Sequence, residues 1–122
     1  KEAMLRGNQP HNNPMWRKRL HDDHGPFDTE YKSAGDWEFF LRCATAGEQF
    51  KQINEVLGLY YFNPKGISTN FENFAWKQEE EKKIYLKYKT MLEKENEQED
   101  TFVQPVPTKS NAKSSASRRT QK

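Results

Sequence analysis

The sequence is poor in aliphatic residues, in cysteine and in excess charge of either sign. Leucine, isoleucine, valine and phenylalanine make up 21 of the 122 residues, below the level of roughly 20% at which folding of the whole chain becomes doubtful. Lysine and arginine number 20 and the acidic residues 18, so the net charge is only +2. Disordered chains combine few hydrophobic residues with high net charge, and here 13% of the residues are aromatic. We therefore expect one part of the chain to fold around aromatic rings and another part to remain unfolded.

These shortages exclude several classes of protein. A nearly balanced charge excludes a nucleic-acid binder that uses a basic surface over the whole domain. No run approaches the roughly 18 apolar residues that cross a bilayer, and no signal-peptide pattern is present. The single cysteine, Cys43, excludes an internal disulfide and is expected to be a small buried residue. Because the chain begins with Lys1 rather than Met, we expect it to be a fragment.

The composition changes twice along the chain, which predicts three parts. Residues 1–70 contain all six glycines and most of the phenylalanines, and they are predicted to form the folded part. Residues 71–98 are highly charged and nearly free of turn-forming residues, as expected of one long helix with a narrow apolar face. Residues 99–122 are predicted to be a disordered, mildly basic tail, which either contacts an anionic surface or is simply solvated.

Residues 36–46 carry the strongest helix signal. Trp37, Phe40, Leu41 and Ala44 recur at the i, i+3, i+4, i+7 spacing of one helix face. Glu38 precedes Arg42 by four residues, which predicts an exposed ion pair. Gly47 follows at the position where a left-handed residue ends a helix, and Ser33 with Asp36 forms a loose version of the N-terminal capping box.

Two short strands are predicted after this helix, over Phe50 to Ile53 and Val56 to Phe62. The second is a nearly continuous apolar run, as in a buried strand. Residues 63–66, with the sequence Asn-Pro-Lys-Gly, predict a turn. Upstream, residues 15–17 are predicted to end a strand, and residues 20–24 to form at most a short helix that stops at Gly25.

A series of short blocks in residues 14–69 resembles the C-terminal part of family 2 glycosyltransferases. The blocks occur in the family's order, and they are Pro14–Lys18, Leu20-His21, Gly25–Asp28, Ala34–Arg42, Glu55–Tyr61 and Gly66–Thr69. The resemblance implies an α/β fragment, α+β over the residues given, from the acceptor side of a GT-A fold. Such a fragment has two short strands, one amphipathic helix, a long C-terminal helix and a disordered tail.

The resemblance also implies a chemistry. Family members transfer a sugar from a nucleotide sugar to an acceptor hydroxyl, and an aspartate at the start of a helix is the usual general base. Asp36 occupies that position here, with Gly35 where many members have a glutamate. A positioned carboxylate accepts the hydroxyl proton as the new bond forms, and if Asp36 is the sole base in a direct displacement the anomeric configuration is inverted. The alternative for Asp36 is a helix N-cap or a first-turn residue favoured by the helix dipole, and this role is compatible with catalysis.

Three further residues are candidates for contact with the acceptor. Trp16 and Trp37 can stack on the apolar face of a sugar, and Arg17 can bind a hydroxyl or a phosphate. The alternatives are a core aromatic for Trp16 and a plain surface residue for Arg17. Asn63 stands where many members have a metal-binding histidine, but it offers a carbonyl oxygen without charge. The run His21-Asp22-Asp23-His24 has two imidazoles at a zinc-like spacing, although a solvated polar loop explains it as well.

The nucleotide-binding half of such an enzyme is missing from the sequence, which contains neither an Asp-x-Asp motif nor a glycine-rich phosphate loop. The full enzyme would use Mg²⁺ or Mn²⁺ with ligands mostly outside this chain. Its partners would be a nucleotide sugar, a glycan or lipid-linked acceptor and the missing N-terminal half, and not nucleic acid. A cytoplasmic setting is expected, with a position peripheral to a membrane left open. The alternative is a non-catalytic module that binds a glycan or an anionic polymer.

Overall fold

The structure is a computed structural model that describes residues 1–11 and 13–102, and over these residues it is helical. Helix α1 spans Glu2–Leu5, α2 spans Arg19–His24 and α3 spans Gly35–Thr45. A 3-10 turn over Phe71–Asn73 leads into the long helix α4, Phe74–Phe102. Since the described residues contain no strand, the predicted α/β class is wrong for this chain.

The two predicted strands are present only as extended chain. Residues 50–62 form no backbone hydrogen bonds within the described part of the chain, so they are not paired into a sheet. A strand is defined by a partner strand, and none of the described residues supplies one. The apolar side chains of this segment therefore lie in solvent instead of in a core, and Val56 and Leu59 are 90% and 96% exposed. Residues 15–17 are likewise not a strand.

Helix α3 forms where the sequence predicts it, one residue earlier at each end. The predicted face of Trp37, Phe40, Leu41 and Ala44 is buried. At its end, Gly47 has a φ of +95°. The N–H groups of Gly47 and Glu48 bond to the carbonyls of Ala44 and Cys43 at 3.2 and 3.0 Å, which is the Schellman arrangement.

The start of α3 is capped in a way that the sequence pattern does not show. Ala34 is the N-cap residue and has no capping side chain, and Ser33 does not form the predicted capping box. Instead the carboxylate of Glu80, on α4, accepts hydrogen bonds from the backbone N–H groups of Lys32, Ser33 and Ala34 at 2.5, 2.8 and 2.9 Å. An acid from another helix thus satisfies the donors that precede α3.

Helix α4 confirms the prediction of one long charged helix and exceeds its predicted length. Asn70 caps the 3-10 turn at its start by accepting a 3.0 Å hydrogen bond from the N–H of Glu72. Its apolar face is narrow, and among residues 74–98, whose side chains the structure describes, only Ile84 and Tyr88 are fully buried. Because α4 continues to Phe102, residues 99–102 are helical and not part of a disordered tail. The rest of the predicted tail, residues 103–122, lies outside the described residues.

The core lies where α1, α3 and α4 meet, with α2 packed against α3. Most of its side chains come from α3, and α1 and α4 each add one or two. Its buried hydrophobic members are Met4, Tyr31, Ala34, Trp37, Phe39, Phe40, Leu41, Cys43, Ala44, Ile84 and Tyr88. This small core holds α3 from three sides, so the residues at the start of α3 have a defined environment.

Candidate functional site

Asp36 lies in the first turn of α3, half-buried, and both of its carboxylate oxygens accept a hydrogen bond. Its Oδ1 accepts from the backbone N–H of Trp37 at 2.7 Å. Its Oδ2 accepts from the Nδ2 of Asn8, 28 residues earlier in the chain, at 2.8 Å. A carboxylate has about four acceptor positions, so each oxygen keeps capacity for one more donor. The predicted base is thus a fixed and partly exposed carboxylate.

The amide of Asn8 is itself oriented. Its Oδ1 accepts a hydrogen bond of 3.3 Å from the backbone N–H of His11, which directs Nδ2 towards Asp36. His11 has a left-handed φ of +45°, an uncommon conformation for a residue with a side chain. The His11 and Tyr60 rings lie edge to face, with their centroids 5.7 Å apart. The segment after α1 therefore lies between Asp36 and the extended aromatic segment.

The two predicted tryptophans have opposite environments. Trp37 is 8% exposed, and its indole N–H donates a 2.8 Å hydrogen bond to the carbonyl of Met4 in the core. Trp16 is 37% exposed and lies at the edge of a ring cluster beside α2. Arg17 is on the surface. Of the predicted acceptor contacts, Arg17 is exposed and the Trp37 ring faces inward. Trp16 lies between these two extremes, since its ring packs against His21, Phe27, Phe39 and Phe40 and only part of it is exposed.

Trp16 is held in place by His21. The indole N–H donates to Nε2 of His21 at 3.1 Å, so Nδ1 carries the imidazole proton and donates to the carbonyl of Gly25 at 3.3 Å. The His21 ring is stacked on Phe39, with centroids 4.5 Å apart. The bond to Gly25 and the stacking on Phe39 therefore hold the His21 ring, and its Nε2 in turn holds Trp16. For the zinc alternative considered for residues 21–24, this means that both ring nitrogens of His21 are already hydrogen-bonded.

The other histidine of that run belongs to an ion-pair network. Asp23, His24 and Glu48 place ligand atoms within 4.8 Å of one another. The guanidinium of Arg19 lies among them, at 2.7 Å from Asp23 and at 3.1 and 3.0 Å from the two oxygens of Glu48. These contacts hold the pKa of Glu48 below its usual range, with Arg19 as the larger cause and His24 as the smaller. Arg19 offsets one of the two carboxylate charges and bonds to both carboxylates, so it would have to move away before a divalent metal could bind there.

Asn63 is no better suited to a metal. Its Oδ1 accepts a 3.0 Å hydrogen bond from the backbone N–H of Lys65 within the predicted turn, which the bond from the Gly66 N–H to the Asn63 carbonyl confirms. The side-chain oxygen that could bind a cation already accepts one bond and brings no charge, which makes it a weak ligand for a divalent metal. The residues that the structure describes therefore do not fit the metal that the family resemblance implies.

Glu38 forms the predicted pair with Arg42, but the pair is not exposed. The side chain of Glu38 is 1% exposed and lies between α3 and α4, where it accepts hydrogen bonds from Arg42, Lys87 and Tyr88 at 2.8, 3.2 and 2.6 Å. Burial by itself would raise the pKa of this carboxyl, but bonds from Tyr88 and Arg42 outweigh it and lower the pKa. Glu38 therefore joins two helices and does not face a substrate.

Arg42 extends this connection to the loop after α2. It donates to the carbonyls of His24 and Pro26 while it pairs with Glu38. Gly25, between those carbonyls, has a φ of +83°. Arg42 thus fixes the turn that carries Gly25, whose carbonyl in turn orients His21.

A groove of about 420 Å³ lies between α1 and α4 and not at Asp36. Its walls are formed by the first residues of the chain and by the middle of α4, and they include Lys1, Leu5, Lys89, Leu92 and Glu93. Charged side chains of both signs line it. No described residue of the predicted site is among its lining residues, so the groove is unrelated to the candidate base.

Sequence reasoning missed Asn8 and Glu80. Each acts on the start of α3 from far along the chain, 28 residues before it for Asn8 and 46 to 48 residues after it for Glu80. No local spacing or motif connects such positions, so nothing in the sequence pattern indicated them.

Comparison of the chain with protein-family models, with curated proteins and with solved structures gives no match. Among the described helices, none combines the length and the apolar character needed to cross a membrane.

Proposed function

We propose that this chain is the acceptor-side segment of an inverting family 2 glycosyltransferase and that Asp36 is its general base. In the reaction, an acceptor hydroxyl attacks the anomeric carbon of a nucleotide sugar. The new C–O bond forms, the bond to the nucleoside diphosphate breaks, and the hydroxyl proton passes to the Asp36 carboxylate. Such a base contributes roughly 10²–10⁴-fold to the rate.

The observation that carries the proposal is the setting of the Asp36 carboxylate. Two donors, the Trp37 N–H and the Asn8 amide, hold it in one orientation at 2.7 and 2.8 Å. The side chain is nevertheless only half-buried, so an acceptor can reach it. A carboxylate that served only to cap the helix would need no second, long-range donor. A fixed carboxylate with free lone pairs is what general-base catalysis requires.

The extended segment 50–62 supports the proposal in a second way. It exposes large apolar side chains, which an adjoining part of a longer protein would cover. Such exposure is unfavourable in an independent module, since exposed apolar patches promote association. The sequence blocks that resemble the family include this segment, at Glu55–Tyr61.

The divalent metal of the proposed enzyme would be held by residues outside the described part of this chain. Neither Asn63 nor the Asp23, His24 and Glu48 cluster fits it, for the reasons given above. The role of this chain is then confined to the acceptor side: Asp36 accepts the proton, and Trp16 with Arg17 lies exposed where a sugar ring or a phosphate can bind.

The test uses the complete reading frame from which this segment derives. We expect strands and an Asp-x-Asp motif upstream of Lys1. In that protein Asp36→Asn is expected to lower kcat by roughly 10²–10⁴-fold and to leave nucleotide-sugar binding unchanged. Asp22→Asn, on the exposed face of α2, is the matched control and is expected to retain full turnover.

Undiminished turnover in Asp36→Asn would reject the assigned base. A complete reading frame without a nucleotide-binding half would reject the transferase and favour the glycan- or anion-binding module. The isolated 122-residue chain is expected to be inactive with a panel of nucleotide sugars, and product formation by it alone would also contradict the proposal.

A further inference from the structure

The side chain of Asn8 is the only described side chain that hydrogen-bonds Asp36. It reaches the aspartate from the segment after α1, which the family resemblance does not include, since that begins at Pro14. This contact is therefore independent of the blocks that suggested a glycosyltransferase. It joins the start of α3 to a part of the chain with no predicted role.

We propose that Asn8 is the positioning residue for the base, an inference that rests on the proposed function. Its Nδ2 donates to Oδ2 of Asp36 at 2.8 Å and fixes the rotation of the carboxylate about its side-chain bonds. The N–H of Trp37 can hold only Oδ1, and that single bond leaves Oδ2 free to swing. When both oxygens of Asp36 are held, the lone pairs that remain free on the carboxylate have fixed directions, as a general base requires.

The backbone around Asn8 holds its side-chain amide in the orientation that directs Nδ2 towards Asp36. The His11 N–H occupies Oδ1 of Asn8 at 3.3 Å, so a flipped amide would place two donors against each other. Met4, in helix α1 just before this segment, is buried in the core, and its carbonyl accepts from the indole N–H of Trp37. The chain is thus held on both sides of Asn8, by the contact of Met4 with Trp37 before it and by the bond from the His11 N–H after it.

The consequence is kinetic. A base displaced by about 1 Å from its productive position can lose on the order of 10²-fold in rate. Asn8 does not need to touch the substrate to exert such an effect. Loss of the Asn8 side chain is expected to reduce kcat without changing the affinity for the nucleotide sugar, because the nucleotide sugar is bound by the other half of the proposed enzyme.

The decisive variant is Asn8→Asp in the complete enzyme. Aspartate is nearly isosteric and keeps an oxygen for the His11 N–H, but it replaces the donor that faces Asp36 by an acceptor. We expect kcat to fall by roughly 10- to 100-fold with an unchanged KM for the nucleotide sugar. Asn8→Ala removes both contacts, and its kcat is expected to fall to a similar degree. Gln9→Ala, at the exposed neighbouring residue, is the control and is expected to behave as wild type.

The outcomes separate this inference from the proposed function. If Asp36→Asn abolishes turnover but Asn8→Asp does not lower kcat, Asp36 is the base and Asn8 is not its positioning residue. If neither variant lowers turnover, Asp36 is not the base, and both the proposed function and the role of Asn8 are rejected. A rise in kcat in Asn8→Asp would show that the contact blocks the carboxylate and would overturn the inference. Thermal melting of each variant checks that a fall in kcat does not reflect unfolding.

Discussion

The phenol of Tyr88 donates a 2.6 Å hydrogen bond to the carboxylate of Glu38, 50 residues earlier in the chain, and both side chains are buried. Lys87 and Arg42 complete the coordination of the same carboxylate. A buried carboxylate is costly unless it is paired and hydrogen-bonded, and here it has three donors. This contact fastens α4 to α3 two residues beyond the candidate base.

Replacement of Tyr88 by phenylalanine is expected to lower the free energy of unfolding by about 1–3 kcal/mol, because Glu38 stays buried with one donor fewer. Urea unfolding of the 122-residue chain measures the loss. Tyr85→Phe removes the same hydroxyl from an exposed ring and is expected to change stability by less than about 0.5 kcal/mol. Equal effects from the two substitutions would show that the contact with Glu38 contributes nothing.

The stability of the chain is expected to fall at both extremes of pH through this pair. The pKa of Glu38 is lowered by its donors, so its contribution is present above the ordinary glutamate range, near pH 4 to 5, and is lost as the pH falls below it. Burial, and then the bond to Glu38, raises the pKa of Tyr88. Its contribution is therefore complete below about pH 10 and is lost as the pH rises above that value.

Unfolding free energies measured across pH in matched variants isolate the two effects. The difference between wild type and Tyr88→Phe is expected to be constant near neutrality and to shrink above about pH 10. The difference between wild type and Glu38→Gln is expected to shrink below about pH 4. Differences that do not vary with pH would contradict the coupling of these groups to folding.

Glu80 is expected to stabilise the entry into α3. It accepts three backbone hydrogen bonds, and Glu80→Ala leaves these N–H groups without that partner. We expect a loss of about 1–3 kcal/mol in the free energy of unfolding. Glu79→Ala, one position earlier and exposed on the same helix, is the control for helix propensity and charge. A loss that is the same for both variants would mean that the cap has no energetic role.

The extended segment 50–62 is expected to make the isolated chain self-associate. Its exposed apolar side chains and unpaired backbone can add to a second copy edge to edge. The double variant Val56→Lys with Leu59→Lys is expected to sediment as a monomer at concentrations where wild type associates, with an unchanged melting temperature. Gln52→Lys with Asn54→Lys adds the same charge at polar positions, and it is expected to suppress association less.

The helices were predictable because their signals are local. The period of the apolar residues indicates α3 and α4, Gly47 indicates the end of α3, and Gly25 the end of α2. The strands were predicted wrongly because an apolar run specifies burial and not a partner. Residues 56–62 have the composition of a buried strand, but the described chain contains nothing with which to pair them.

The sequence by itself predicted α2, α3 and α4 and placed Asp36 in the first turn of α3, since helix periodicity and end signals act over a few residues. It did not predict the short helix α1. Only the tertiary structure decided that Asn8 and Glu80 hold the start of α3, that Glu38 is buried and that Trp16 is more exposed than Trp37. These outcomes depend on contacts between residues tens of positions apart. The packing of α1 and α4 against α3 creates those contacts, and no local pattern records them.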